Sequence, residues 1–314
     1  MNFKQNILAA ALCLTSNVTA FAPITLKTGS NSELASSFFD NVNLMGGQTA
    51  ETMYSGGRGG KPADVAFGKL IDAGEPTNIQ GGALRTWTYK DPLVDRCLVS
   101  LVSGGPSEGN PCKANISLCQ GPDNTPLQCD LYSGKGAYRK IRLCVETPRS
   151  HSAVFVRNTN SIEYPFTCRI LPCTSEPNPS SDLPVLPDSL FDMTNPRVLQ
   201  GSSSVISYPL DSSVNMCKVT IKTDGRPLDV MIELIQGPNA PKYTINIYTE
   251  DGVERPFYTL LETPGAGNMV RVKNVHQREF PCLVDVEPFE DELVPAAAFK
   301  KATQKPKPLS QWNM

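Results

Sequence analysis

The residue types that most often carry catalysis are scarce in this chain. His151 and His276 are its two histidines, and each lies beside a turn. A serine or cysteine nucleophile needs a neighbouring base such as histidine. Neither a Gly-x-Ser-x-Gly elbow nor a local cysteine-protease signature occurs in the sequence. We therefore interpret both histidines as surface residues, and we predict no catalytic residue.

The cysteine spacing does not favour a zinc site. Structural zinc sites use pairs of ligands at tight spacing, most often C-x2-C. Cys112 and Cys119 are separated by six residues, and Cys168 and Cys173 by four. We predict no metal site from these pairs.

A glycine-rich segment at residues 56–61 has the composition of a phosphate-binding loop. A P-loop needs glycine where Ser55 stands and serine or threonine where Pro62 stands. Pro62 also occupies the third glycine position of a dinucleotide fingerprint, and no strand leads into the segment. We interpret it as a polar loop, and we predict no cofactor.

Two acidic residues recur in the chain and raise the question of a carboxylate pair for glycosidic chemistry. Glu146 recurs as Glu262, and Glu163 recurs as Glu279. Each copy of the repeat would have to carry its own site, which is a demanding requirement. The simpler interpretation is that these are charged turn or edge residues, so the chain is predicted not to be an enzyme.

An internal repeat organises the elements that carry these residues. Gln120-Gly121-Pro122 recurs as Gln236-Gly237-Pro238, and Glu146-Thr147-Pro148 recurs as Glu262-Thr263-Pro264 in the same register. Constant spacing over so many turn residues predicts a duplicated unit. Upstream of an insertion near Gly104–Pro111 the spacing changes by four residues. Further matched pairs are Tyr132 and Tyr248, Gly136 and Gly252, Asn158 and Asn274, Gln80 and Gln200, Asp91 and Asp211, and Cys97 and Cys217.

Each copy reads as about seven short strands separated by turns, which is typical of a β-sandwich. The sequence therefore predicts an all-β fold of two tandem β-sandwich-like modules. We also predict a hairpin at Asp224-Gly225. The predicted strands are Arg85–Tyr89, Cys97–Val102, Ala114–Cys119, Leu127–Tyr132, Tyr138–Val145, Ala153–Arg157, Tyr164–Ile170, Cys217–Thr223, Asp229–Ile235, Tyr243–Ile247, Phe257–Leu261, Met269–Val272 and Phe280–Val286.

The N-terminus carries targeting signals. Lys4 precedes a short apolar run, and small residues lead to a cleavage site between Ala20 and Phe21. The apolar run is much shorter than the ~20 residues of a spanning helix, so we predict a cleaved signal peptide and no transmembrane segment. Phe21-Ala22-Pro23 and the Ser-rich stretch after it are typical of a plastid transit segment. An ordinary secreted protein whose mature end reads Phe-Ala-Pro is the alternative.

Composition shifts divide the chain further. The region before the first copy is glycine-rich with a weakly helical patch at Asp64–Ala73, and a proline-rich connector is expected to space the modules. The C-terminal tail is charged and ends near Leu309 and Trp312, which we take as candidate self-association residues. The predicted divisions are 1–20 signal peptide, 21–38 transit segment, 39–79 glycine-rich region, 80–171 first β module, 172–198 connector, 199–289 second β module and 290–314 tail.

Charge and cysteine content restrict the environment and the partners. The formal net charge of the 314 residues is -2, which favours neither nucleic acid nor a membrane surface as a partner. Loss of Cys13 with the signal peptide leaves an odd number of cysteines, and most lie in the first half. A disulfide framework needed by the module would recur in both copies, so we predict free and mostly buried thiols in a reducing compartment.

The Phe-Ala-Pro junction followed by two copies of Gln-Gly-Pro, Glu-Thr-Pro and Val-Arg/Lys-Asn resembles the diatom pyrenoid shell proteins. The likeness covers residues 80–290 and the general character of the tail. It implies a structural protein that self-assembles into a thin sheet around the Rubisco matrix, at the periphery of the pyrenoid in the plastid stroma. The implied partners are other copies of the chain and Rubisco matrix proteins.

A monomeric plastid β-sandwich module that binds carbohydrate or a protein partner is the alternative function. Such a module would cluster exposed aromatic residues on one loop face. Aromatic residues make up 7% of this chain and fall mostly within predicted strands. The first copy also differs from the second by its insertion and its extra cysteines, so equal roles in a lattice do not follow from the repeat.

Overall fold

The computed structural model describes residues 67–103, 110–148, 151–237 and 241–289. These residues form sixteen strands, eight in each of two halves. Half one (residues 76–173) contains β1 Pro76–Ile79, β2 Leu84–Tyr89, β3 Arg96–Ser103, β4 Cys112–Gln120, β5 Leu127–Ser133, β6 Ile141–Glu146, β7 Ser152–Asn158 and β8 Phe166–Cys173. Half two (residues 197–288) contains β9 Arg197–Leu199, β10 Val205–Pro209, β11 Met216–Lys222, β12 Leu228–Gln236, β13 Pro241–Thr249, β14 Phe257–Glu262, β15 Asn268–Asn274 and β16 Cys282–Pro288.

The strands form two antiparallel sheets, and each sheet takes four strands from each half. Sheet A has the order β1-β8-β3-β6-β14-β11-β16-β9, and sheet B has the order β10-β15-β12-β13-β5-β4-β7-β2. When β9–β16 are numbered 1–8 in chain order, as β1–β8 are, sheet A has the order 1-8-3-6-6-3-8-1 and sheet B has the order 2-7-4-5-5-4-7-2. Each order is therefore the same when it is read from either end. This is the order that two copies of one unit would give, although the duplication itself stays a prediction.

The all-β prediction and the sandwich are confirmed, but the two modules are fused rather than spaced. β5 pairs with β13 in sheet B, and β6 pairs with β14 in sheet A. Both sheets therefore run without interruption through the whole body. We call these two ladders the seam.

The main core lies between the two sheets, which explains why burial alternates along many of the strands. In β4 the residues at alternate positions are buried, and the others face away from sheet A. β3 differs, because almost all of its residues are buried, as expected when both faces of a sheet are covered. The cover on the outer face of sheet A is a helical turn at 67–70 together with residues 174–196, which we call the strap.

The strap corrects the prediction of a connector that spaces the modules. It contains a short 3-10 helix, Asp188–Phe191, whose Leu190 and Phe191 are buried against sheet A. The Phe191 ring meets the edge of the Tyr258 ring with 6.2 Å between centroids. Proline-rich composition prevented regular strands here, but the apolar side chains among the prolines still bury themselves on the sheet.

One local prediction, the hairpin, was wrong. Asp224-Gly225 does not close a hairpin, because β11 lies in sheet A and β12 in sheet B, so the turn crosses between sheets. Gly225 has φ of 94°, so the turn still needs glycine. Three short edge strands, β1, β9 and β10, were not predicted, because their exposed residues lack a clear apolar alternation.

Candidate functional site

The two histidines lie in different surroundings, since His276 makes local contacts and His151 is exposed. His151 is exposed in a turn with φ of 64°. His276 stacks on Phe280 with 4.6 Å between ring centroids, and its Nδ1 accepts a hydrogen bond from the Arg278 backbone N–H at 3.0 Å. These contacts fit the interpretation of both as non-catalytic residues, which stays a prediction.

The repeated acid Glu146 lies in a buried ion network, which corrects its interpretation as a turn or edge residue. Its Oε1 lies 3.3 Å from Arg96 Nε. Arg96 also contacts Asp188 at 2.5 Å and donates a hydrogen bond to the Leu186 carbonyl, so it ties the strap to sheet A. Burial raises the pKa of Glu146 to about 8, although Arg96 opposes this rise.

Its counterpart Glu262 is half-buried, and it pairs across the seam. Arg142 of β6 contacts the Glu262 carboxylate of β14 at 2.9 Å and contacts Asp72 at 3.1 Å. Burial raises the pKa of Glu262, and Arg142 acts in the opposite direction. The other repeated acids, Glu163 and Glu279, are exposed. Because Glu146 and Glu262 are each held by a different arginine, the structure uses them as anchors of the fold.

The cysteines of the described residues are all free, as predicted, and all except the half-buried Cys119 are buried. Burial raises the pKa of Cys112, Cys217 and Cys282 to about 12 each. Thiols with such pKa values are protonated at neutral pH and are poor nucleophiles. Within the described ranges, no group of three or more histidine, cysteine or acidic residues is arranged to hold a metal ion.

The seam has an approximate two-fold axis. Asp130 lies opposite Asn246 in the β5–β13 ladder, and Leu143 lies opposite Thr259 in the β6–β14 ladder. The two members of each of these pairs are as far apart along the chain as Gln120 and Gln236, so each residue lies opposite its own counterpart in the repeat. The axis therefore passes through both pairs, roughly perpendicular to the sheets.

Backbone hydrogen bonds at the two ends of the β5–β13 ladder follow the same symmetry. The N–H of Gly134 donates to the carbonyl of Lys242 at 3.0 Å, and the N–H of Glu250 donates to the carbonyl of Pro126 at 3.0 Å. Each bond joins one half to the other. The seam is therefore closed in the same way on both sides of the axis.

The repeated glutamines make a reciprocal clasp across the seam. The Gln236 side-chain carbonyl accepts a hydrogen bond from Arg139 at 2.8 Å, and that of Gln120 accepts one from Arg255 at 2.8 Å. Each glutamine amide also donates to the proline carbonyl of its own half's Glu-Thr-Pro motif, Pro148 or Pro264. The two strongest repeated motifs are therefore explained by the contact between halves. Arg139 and Arg255 share the offset of the glutamines, so the repeat contained a signal for them that the sequence analysis missed.

Other repeated residues are also fixed by packing. A Cβ on Gly136 would lie 2.6 Å from the Ser103 Cβ, and one on Gly252 would lie 2.4 Å from the Thr223 Oγ1. Asn158 and Asn274 donate from their side chains to backbone carbonyls near the start of β8 and β16, of Tyr164 and Phe280 respectively. Repetition of these residues follows from the geometry of the backbone.

The two ends of the sandwich are alike and exposed. Sheet B ends in β2 on one side and β10 on the other, and within the described ranges no strand lies beyond either. Leu84 of β2 is 41% exposed and Val205 of β10 is 48% exposed. These positions correspond, because Leu84 lies opposite Arg157 and Val205 lies opposite Lys273, the counterpart of Arg157. The end strands are the candidate functional site.

The predicted signal cleavage at Ala20 and Phe21 and the candidate self-association residues Leu309 and Trp312 lie outside the described residues. The first and last described residues do share a location. Phe67 and Phe289 both belong to the apolar cluster on the outer face of sheet A. Among the described residues, no helix combines the length and apolar character that crossing a bilayer requires.

Comparison with known proteins gives one informative match. No curated protein matches the chain. The crystal structure of the PBSX exported protein XepA is 8% identical, with 67% of this chain and 85% of that chain covered and a TM-score of 0.21. Vicilin from Capsicum annuum is 9% identical, with 68% and 75% covered and a TM-score of 0.17. Neither structure adds to the argument.

The family match agrees with the architecture. The family model of the diatom pyrenoid shell protein matches residues 71–288, a range that contains all sixteen strands, both ladders of the seam and the strap. The matched range covers well over half of the sequence. The chain belongs to the diatom pyrenoid shell protein family.

Proposed function

We propose that this chain is a self-assembling structural protein that forms a sheet-like shell around the Rubisco matrix of the pyrenoid. The observation that carries the proposal is the pair of like, exposed ends on one continuous two-sheet body. A molecule with an open strand at each end can bind a neighbour at each end. Contacts that do not close by symmetry propagate into sheets or tubes. Family membership supports the shell, and the ends supply a physical means of building it.

The role is structural rather than catalytic. The residues that recur in both halves hold the seam, the turns and the strap, as the Gln120 and Gln236 clasps illustrate. The repeated acids Glu146 and Glu262 are paired with arginines, and the buried thiols are protonated at neutral pH. This use of the polar side chains to hold the fold together supports a structural scaffold.

The protein acts in the plastid stroma, at the pyrenoid periphery. It is imported through the endoplasmic reticulum by a bipartite signal that is cleaved between Ala20 and Phe21 and followed by the transit segment. Its partners are further copies of itself and proteins of the Rubisco matrix. The tail, with Leu309 and Trp312, docks on a neighbouring molecule. A buried tryptophan side chain stabilises such a contact by about 2–3 kcal/mol.

Purified residues 39–314 test the proposal without added metal or nucleotide. We expect large assemblies by light scattering and extended sheets or tubes by electron microscopy. A stable monomer at tens of micromolar would instead support the alternative of a monomeric binding module.

The tail is tested separately. Deleting Pro306–Met314 is expected to weaken assembly and to leave the thermal melt of the body unchanged, and Trp312→Ala is expected to reproduce most of that loss. An exposed side chain of the body, Ile162 at 70% exposure, offers the matched control as Ile162→Ala. If the truncated chain assembles as readily as the full chain, the tail has no role in docking.

A further inference from the structure

We propose that neighbouring molecules in the assembly join by strand pairing, with β2 of one copy antiparallel to β10 of the next, so that sheet B continues from molecule to molecule. This inference rests on the proposed self-assembly and names the contact that produces it. The partner is a second copy of this chain, related to the first by a translation along the sheet.

The strand directions in sheet B allow this pairing. Sheet B has eight strands, and every neighbouring pair in it is antiparallel. With an even number of alternating strands, the first and the last run in opposite directions. A copy moved along the sheet by its own width therefore brings β10 beside β2 in the antiparallel direction that the rest of the sheet uses.

The free backbone groups of β2 point outward. The Asn158 N–H donates to the Ala83 carbonyl at 2.9 Å, which marks these residues as a hydrogen-bonded pair. Hydrogen-bonded pairs alternate along an antiparallel ladder. Arg85, Trp87 and Tyr89 thus direct their backbone groups to β7. The backbone groups of Leu84, Thr86 and Thr88 point away from it, toward the next molecule.

Alternate residues of β10 also direct their backbone groups outward. The Asn274 N–H donates to the Ser204 carbonyl at 3.0 Å, and the Leu210 N–H donates to the Asn268 carbonyl at 2.9 Å. The residues between them that point away from β15 are Val205, Ser207 and Pro209. Each strand thus offers three outward residues. The middle residue of each set, Thr86 in β2 and Ser207 in β10, lies opposite the other in the proposed register.

The side-chain faces match as well. Leu84, Thr86 and Thr88 lie on the outer face of sheet B, opposite the outward-facing Arg157, Phe155 and Ala153 of β7. Val205, Ser207 and Pro209 lie on the same face of β10. Hydrogen-bonded partners in an antiparallel ladder place their side chains on one face. All six side chains are uncharged, and the pairing covers the exposed Leu84 and Val205.

Charge favours the pairing of β2 with β10 over the pairing of each strand with itself. Arg85 is the charged residue of β2, and β10, with the sequence VISYP, has none. Two β2 strands would bring two Arg85 side chains onto one face, and like charges across strands are unfavourable. Two β10 strands would place two copies of Pro209 in the ladder, and each lacks a donor.

Sheet A is less suited to the same contact. Its end strands, β1 and β9, are four and three residues long, and β1 begins with Pro76. Very short edge strands limit pairing with other chains, and edge prolines do so too, but β10 of sheet B also contains a proline, Pro209, so strand length is what separates the two sheets. The end strands of sheet B are six and five residues long. Sheet B therefore carries the contact.

Cross-linking tests the pairing. A Cys119→Ser background removes the half-buried thiol. Thr86→Cys and Ser207→Cys are introduced together and singly, and assembled protein is treated with a short bis-maleimide and quenched before denaturation. The matched control is Asn246→Cys with Ser207→Cys, because Asn246 is also exposed on the outer face of sheet B but lies at the seam. Microscopy of the same samples reports assembly.

We expect a ladder of covalent multimers from Thr86→Cys with Ser207→Cys, and monomers from each single variant and from the control. Dimers from Thr86→Cys alone would show β2 paired with β2 and would overturn the inference. Assemblies visible by microscopy without a ladder would overturn it and leave the proposed function standing. Absence of any assembly from the wild-type chain would overturn both.

Thr86→Pro provides a second measurement that does not depend on a thiol. It removes an N–H that points away from β7, so the fold should retain its melting temperature. We expect the concentration needed for assembly to rise roughly tenfold, because an edge proline removes a donor from the intermolecular ladder. Unchanged assembly by this variant would contradict the inference.

Discussion

The reciprocal clasp leads to a quantitative prediction for Gln120→Ala and Gln236→Ala. Each glutamine accepts a hydrogen bond from a buried arginine of the other half and donates to a proline carbonyl of its own half. Arg139 and Arg255 are 7% and 3% exposed. Truncation of either glutamine therefore removes one charged and one neutral hydrogen bond and leaves a buried guanidinium poorly satisfied.

The size of the effect follows from these contacts. A hydrogen bond to a charged group contributes about 1.5–3 kcal/mol and a neutral one about 0.5–1.5 kcal/mol. Both glutamines are half-buried, so water replaces part of the loss. We expect each variant to lower the free energy of unfolding by about 2–3 kcal/mol. The two clasps share no hydrogen-bond partner, so the double variant should lose about 4–6 kcal/mol.

Urea unfolding at a protein concentration below the onset of assembly measures these values. Gln128→Ala is the matched control, because Gln128 is an exposed glutamine of β5. It should change the free energy by less than ~0.5 kcal/mol. A double variant within ~0.5 kcal/mol of the wild type would refute the assignment of the clasp as a major contact between the halves.

Three further predictions test the packing and the titration of the body. Gly136→Ala should lower the free energy of unfolding by about 1–3 kcal/mol, because its Cβ would clash with Ser103 and Cys112. Gly134→Ala should be nearly neutral, because its Cβ would make an ordinary contact of 3.4 Å. Equal melting temperatures for the two variants would contradict this prediction. Phe191→Ala should cost about 3–5 kcal/mol if the strap is part of the fold, and thermal melts beside Ile162→Ala measure it. Asp285 has its pKa raised to about 6 by burial and by Glu287 beside it, against the N–H donors of Asn195 and Thr194. The folded state thus holds a proton that the unfolded state has released, so stability falls as pH rises from about 4 to 6, and Asp285→Asn should flatten urea midpoints over that window. Equal slopes of the wild-type and Asp285→Asn midpoints against pH over this window would contradict this assignment.

Strands that depend on local patterning were predictable, and contacts between distant strands were not. The predicted strand Leu127–Tyr132 differs by one residue from β5. The prediction succeeded because buried and exposed residues alternate along this strand, and the alternation is visible in the local sequence. The pairing of β5 with β13 depends on residues more than a hundred positions away, and a strand pattern does not specify its partner. The sequence also indicated that Gln120 and Gln236 mattered, but it gave their turns as the reason rather than Arg139 and Arg255.

The candidate site was the least predictable part. β10 has the sequence VISYP, in which the apolar Val205 is exposed and Tyr208 is the buried residue. Apolar and polar residues therefore do not alternate with burial as they do in a typical strand. The strap was not predicted for a related reason, since the six prolines of residues 172–196 suggested an extended spacer. Short buried runs such as Leu190-Phe191 bind sheet A without regular secondary structure. The conformations of edge strands and of covering segments are both determined by tertiary contacts rather than by local propensity.

The seam also sets a delay on folding when residues 39–314 are synthesised without the targeting segments and fold in the compartment of their synthesis. β5 and β6 leave the ribosome well before β13 and β14, which lie more than a hundred residues later in the chain. At about 5–20 residues per second, half one waits on the order of 5–25 seconds with two unpaired inner edges. The half of another nascent chain offers the same backbone pattern as the missing partner. Crowded translation of this message should therefore favour mispaired chains, and slow, dilute synthesis should favour correctly closed ones.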